Sequence, residues 1–103
     1  MKRVTYKSIL QDEKECFFCR MLYDMKVEYN LHKHHVYEGV ANRPISEANG
    51  FYVYLSPHYH NCSSDGVHFN TKNELLLKIL CQRKYEETHT REDFRKLIGR
   101  SYL

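Results

Sequence analysis

"LHKHHVYEG", residues 31–39, sets three histidines within four positions, His32, His34 and His35, and three more follow at His58, His60 and His68. A neutral imidazole nitrogen binds transition metals, and near neutral pH the same ring takes up and returns protons. Imidazoles converging with one coordination position left open lower the pKa of a bound water or steady a phosphate oxygen. A neighbouring neutral histidine then supplies general-base chemistry. "CFFC" adds a CxxC pair, Cys16 and Cys19, whose spacing brings the second thiol back beside the first, the shape of a zinc knuckle. The plainer reading of the histidines is a solvated strand edge and loop. Against it, six of the seven histidines fall in just two groups.

The two groups are far apart in sequence, so the elements between them must bring them together. "KVEYNLHKHHVY" alternates as a strand, with Val27, Tyr29 and Leu31 on one face. "EGVANRPISEANG" reads as a long loop punctuated by Gly39, Pro44 and Gly50. "FYVYLS" (51–56) is aromatic and β-branched, a strand stopped by Pro57, and its aromatics read as core packing rather than a base-stacking platform. Pairing of the two strands would make a hairpin whose open end carries both histidine groups. "PHYHNCSSDGVHF" is polar and turn-rich, with one helical turn at its start. The C-terminal third is helical. Thr71 and Glu74 form a capping-box pattern ahead of an apolar face of Leu76, Leu77, Leu80, Cys81 and Tyr85. A second helix starts at Thr90, with Glu92 and Asp93 at its positive end, and stops at Gly99.

A chain of 103 residues is one domain, residues 1–103, with a thin core that a metal or partner would support. The fold class expected is a small α+β domain. No apolar run reaches signal-peptide or membrane-span length, so the expected location is cytoplasmic, with no membrane partner. Four cysteines without a secretory signal then suit metal ligation better than disulfides. The net charge of +3 permits nucleic acid as a partner without demanding it. The basic residues from Lys72 to Arg100 are spread among acids, as on a solvated helical surface. Arg43, in the loop facing the expected site, is the cation suited to a phosphate contact. Cys81, on the apolar helix face, reads as core.

From Cys16 to the C-terminus, "ECFFC…NLHKHHVYEG…NRPISEANGFYVYLSPHYHN…GVHFN…REDFRKLIGRSYL" resembles a family of small phage and prophage HNH-type proteins. The resemblance implies a ββα-metal (HNH, treble-clef-like) domain, in which two strands and a helix clasp a divalent ion that cuts a phosphodiester. Carried over by position, it implies His35 as general base on the attacking water, His34 as a metal ligand and His60 as the helix-end ligand, with His68 a further candidate. Two departures stand out. Many zinc-bearing relatives have a second knuckle where this chain reads Ser56 and Tyr59, which excludes a four-cysteine zinc. Cys16 and Cys19 would then be completed by His58, Cys62 or another histidine. The middle asparagine of the HNH name falls at Phe51, with Asn49 and Asn42 nearby.

The function expected is a metal-dependent HNH-type endonuclease acting on DNA. It would use a divalent ion (Mg²⁺, Mn²⁺, Ni²⁺ or Zn²⁺) near His34 and His60, and a structural Zn²⁺ at Cys16 and Cys19. The alternative is a zinc-stabilised module that binds nucleic acid or protein without cutting. A phage-encoded inhibitor of a host factor is a third reading.

Overall fold

The structure, a computed structural model, describes residues 5–60, 63, 64, 66–68 and 70–103. It is a small α+β fold. In chain order come α1 (Phe17–Tyr23), β1 (His32–His35), α2 (Asn42–Asn49), β2 (Tyr52–Leu55), α3 (Pro57–His60), α4 (Thr71–Tyr85) and α5 (Arg91–Ile98). β1 and β2 pair antiparallel, with His32 opposite Leu55, His34 opposite Val53 and His35 opposite Tyr52. His32 therefore lies at the end of the pair from which α3 departs. The two histidine groups meet there, as the strand pairing predicts.

The route between the strands differs from the expected long hairpin loop. Residues 42–49 form a helix. Pro44 stands in its first turn, where the missing N–H has no partner to lose, and Gly50 closes it in the left-handed conformation, with φ of 75°. The same punctuation that marks a loop also marks the two ends of a short helix. β1 is shorter than its alternating pattern suggests, because Asn30 takes a positive φ of 55° and breaks the extended run. Tyr29 is consequently exposed, while Val27 and Leu31 still pack on the core. The cysteine pair does not sit in an isolated turn: Cys16 is the N-cap of α1, and its sulfur accepts from the Cys19 N–H. At α4 the cap is Asn70 rather than Thr71, its side chain accepting from the Asn73 N–H. At α5 the Thr90–Asp93 capping box and the Gly99 stop are both present.

Phe51, Val53 and Leu55 face a core completed by Phe18, Val36, Tyr37, Leu77, Cys81 and Phe94. Tyr37 is its hub. Its ring meets those of Phe51, Phe94 and Tyr102 at centroid distances of 5.3–5.6 Å, and its hydroxyl donates to the Lys78 carbonyl at 2.7 Å. Buried Gln82 donates to Glu86 and Ser101 and accepts from the Tyr102 N–H, which ties the C-terminal segment to α4. The N-terminal segment covers the outer edge of β2: Ser8 donates to the Tyr52 carbonyl, and Gln11 accepts from the Tyr54 N–H. Among the described residues, β1 is paired on one edge only, in a two-stranded sheet.

Gly50 joins these layers. Ile9 N–H donates to its carbonyl, and a side chain here would run into the Lys7 carbonyl. Gly99 also has a positive φ, but open space surrounds it. Gly50→Ala should therefore destabilise the protein more than Gly99→Ala, which carries only the left-handed penalty of about 1–2 kcal/mol. Urea denaturation of the two variants measures the difference.

Candidate metal centre

The extended backbone of β1 sends alternate side chains to opposite faces. His32 and His34 go to one face, Lys33 and His35 to the other. On the first face His34 is joined by His60, from the end of α3, and by His68, from the turn beyond it. One ring nitrogen from each of the three lies within 4.8 Å of the others. His60 Nε2 and His68 Nε2 are 3.0 Å apart, and His60 Nδ1 is 2.8 Å from His32 Nδ1. Backbone bonds set this approach: Val67 N–H donates to the Tyr59 carbonyl, and His68 N–H to that of His60.

His34 is 3 % exposed, and among the described residues its buried Nε2 has no hydrogen-bond partner. Buried polar atoms are rarely left in that state, because an unmade bond costs about 1–3 kcal/mol. Among the described residues, Glu38 Oε1 comes within 3.7 Å of this nitrogen, beyond hydrogen-bond reach. Burial, then the neighbouring His60 and His68, pushes the His34 pKa down to about 3. Burial, then His68 and His32, brings His60 down to about 4. Both rings are thus neutral at physiological pH, with lone pairs available, the form a metal ligand must have. The Glu38 contact is accordingly not an ion pair.

The residues fit a transition metal. Nitrogen–metal bonds of about 2.0–2.1 Å place tetrahedral donors roughly 3.3 Å apart, near the 3.0 Å between His60 and His68, while His34 would have to draw in from within 4.8 Å. A pure imidazole set suits zinc, nickel or copper better than magnesium or calcium, which favour oxygen. His34 is buried, His60 half-buried and His68 exposed, so the group opens to solvent on one side. That is the layout of three protein ligands with a free fourth position.

The other expected site residues fall elsewhere. His35, on the far face of β1, donates from Nε2 to Glu47 Oε1 at 2.7 Å. Glu47 also accepts from Lys33 and Thr5, each at 2.8 Å. Burial alone would raise the Glu47 carboxyl, but the bonds from Lys33, His35 and Thr5 outweigh it and hold its pKa at about 2. Arg43 lies on α2, exposed, rather than in a loop. Asn49 also lies on α2, its amide donating to the Ile45 carbonyl, and Phe51 is core. Glu47 and Glu38 were not singled out from the sequence. Glu47 lies in the stretch read as loop, and only its helical placement brings it to β1.

Cys16 and Cys19 are both buried, and the Ser56 hydroxyl stands 3.5 Å from Cys16 Sγ and 3.9 Å from Cys19 Sγ. Burial opposes ionisation of Cys16, but its hydrogen bonds with Ser56 and Cys19 outweigh it and lower its pKa. Burial, then Cys16 itself, pushes Cys19 up to about 11. The pair could bind a metal, yet among the described residues it gathers no third histidine, cysteine or carboxylate. Tyr59 packs its ring on Phe18 at 5.3 Å, and Cys62 lies outside the described residues. Cys81 is core, as expected.

No protein-family model, curated protein or solved structure matches this chain. Among the described residues, no helix is long and apolar enough to cross a membrane.

Two outcomes follow from this geometry. Three converging nitrogens outbid two thiols, so the protein should bind about one zinc or cobalt per chain. His34→Ala should lose that ion and Cys16→Ser retain it, as read by elemental analysis after gel filtration. Separately, Glu47 has a folded pKa below its ordinary 4.5. The unfolded chain therefore binds the extra proton between about pH 4.5 and 2, and stability present above that window is lost as pH falls through it. Glu47→Gln should lower stability at neutral pH and remove this part of the acid dependence, measured as the difference between parent and variant melting curves.

Proposed function

We propose that the protein is a metal-dependent phosphodiesterase of the HNH, ββα-metal type that acts on DNA. The observation that carries this reading is the convergence of His34, His60 and His68 around the buried, partnerless nitrogen of His34. The order strand, strand, helix supports it, with ligands drawn from the first strand and from the helix after the second. A divalent ion held there supplies Lewis-acid stabilisation of charge on a phosphoryl oxygen. The chain's own residues do the rest. His34, His60 and His68 would hold the ion, His34 and His60 with rings that burial keeps neutral. Glu47 takes the Nε2–H bond of His35, which orients that ring and leaves Nδ1 as its basic nitrogen, the arrangement a general base needs. A phosphodiester laid across the free edge of β1 would have the triad on one side and His35 on the other. Adjacent residues of opposite facing can then act on one substrate.

The second reading, a binding module that does not cut, is favoured by one observation: His35 and the triad occupy opposite faces of β1. In that reading the metal stabilises the fold, and exposed cations such as Arg43 give sequence-tolerant affinity that falls with salt.

Supercoiled plasmid separates the two. Protein loaded with Zn²⁺, Ni²⁺ or Mn²⁺ should nick it, with Mg²⁺ less effective and a chelator abolishing the reaction. His34→Ala should lose both metal and cleavage. His35→Ala should lose roughly 10²–10⁴-fold in rate with metal binding intact. A folded, metal-loaded parent that nicks nothing with any of these ions would establish the binding module instead.

A further inference from the structure

We infer that His32 is a positioning residue: it accepts the Nδ1–H of His60 and so fixes His60 in the tautomer that can hold a metal. The inference rests on the metal-centre reading and assigns to it a residue outside the ligand group.

Both ring nitrogens of His60 are engaged. Nδ1 lies 2.8 Å from His32 Nδ1, and Nε2 lies 3.0 Å from His68 Nε2. A neutral imidazole carries one N–H, so His60 can donate at one of these contacts only. If it donates from Nε2 toward His68, its lone pair points at His32 and away from the group. If it donates from Nδ1 toward His32, the lone pair at Nε2 faces His68 and the space in front of His34. Only the second arrangement lets His60 and His68 share an ion through their facing Nε2 atoms. It also requires His32 to present an unprotonated Nδ1, with its own proton on Nε2.

The strand geometry makes His32 available for this task. It lies two residues before His34, on the same face of β1, at the end of the sheet from which α3 departs. Its ring stands edge-on to that of His60, 4.9 Å between centroids and 88° between planes. This directs a ring nitrogen along the hydrogen bond instead of stacking the two faces. His32 does not join the three nitrogens that converge. Metal-bound histidines generally donate their second N–H to an acceptor that sets ring orientation, and loss of that acceptor costs about 10–100-fold in metal affinity.

The test uses His32→Asn, whose side-chain oxygen stands near the Nδ1 position and can accept, and His32→Leu, which keeps bulk but cannot. Cobalt is titrated into each protein and followed by visible d–d absorbance, with zinc competition for the tight end. Long-range ¹H–¹⁵N spectra of the metal-free parent report the tautomer of His60. The Leu variant should bind cobalt about 10–100-fold more weakly, with the Asn variant within a few-fold of the parent. His60 should carry its proton on Nδ1 in the parent. Metal-free melting curves of both variants check folding, and a purely structural role for His32 would not separate Asn from Leu. A Leu variant that binds cobalt as tightly as the parent overturns the inference. So does equal weakening in both variants with an altered d–d spectrum, the mark of a direct ligand, or a parent His60 protonated on Nε2. If the parent binds neither cobalt nor zinc, the metal-centre reading fails, and the tautomer spectrum still decides the role of His32.

Discussion

The antiparallel register of β1 on β2 governs what the four residues His32–His35 can do. A strand has a side-chain period of two, so "HKHH" cannot act as a single cluster. The register sets His34 against Val53, over the core, and His35 against Tyr52, on the outer face. A one-residue slip would exchange them, taking the buried imidazole out to solvent and driving Lys33 into the core. Burial of Val53, Leu55 and Val36 therefore fixes the chemistry as firmly as it fixes the fold. Any reaction that uses both histidines must approach the edge of the strand, since neither face presents both.

Neutrality of the rings follows from the same constraint. His34 loses water because the core behind it is apolar, and His60 and His68 add like charge if they protonate. A buried imidazole nitrogen left without a partner is a defect in a protein that does nothing with it. Its cost is offset when a metal occupies the lone pair. The far face follows the opposite rule: Lys33, His35 and Thr5 converge on Glu47, and every one of these polar groups is matched. The two faces of one four-residue strand thus differ in kind: among the described residues one is satisfied, and the other keeps a buried nitrogen without a partner.

Much of this was legible in the residues. The two strands, both C-terminal helices, the meeting of the histidine groups and the core placement of Cys81 follow from periodicity and capping. The helix over 42–49 was not, because Pro44 and Gly50 carry the same local signal at helix ends as in loops. Missing it hid Glu47, which reaches β1 only when helical turns bring it round. The division between His34 and His35 was visible as a consequence of alternation, whereas the partner of each ring is a tertiary fact. Asn30 shortened β1 for a reason that propensity only hints at: its short polar side chain tolerates the left-handed conformation.

The cysteine pair shows how the surroundings of a motif decide its chemistry. Cys16 caps α1, and both thiols lie against the Ser56 hydroxyl at the start of α3. The Cys16 thiol donates to that serine, a hydroxyl that would make a poor metal ligand, and the ring of Tyr59 packs beside Phe18. Two thiols and a hydroxyl hold α1 to the β2–α3 junction by packing and weak hydrogen bonds, with the parallel bridge from Cys16 to Tyr54 beside them. The attachment of α1 then depends on apolar burial around Phe18, a residue with no exposed surface. The carbonyl of the same Ser56 accepts the N–H groups of Tyr59 and His60, so the junction that anchors α1 also sets where α3 carries its histidine.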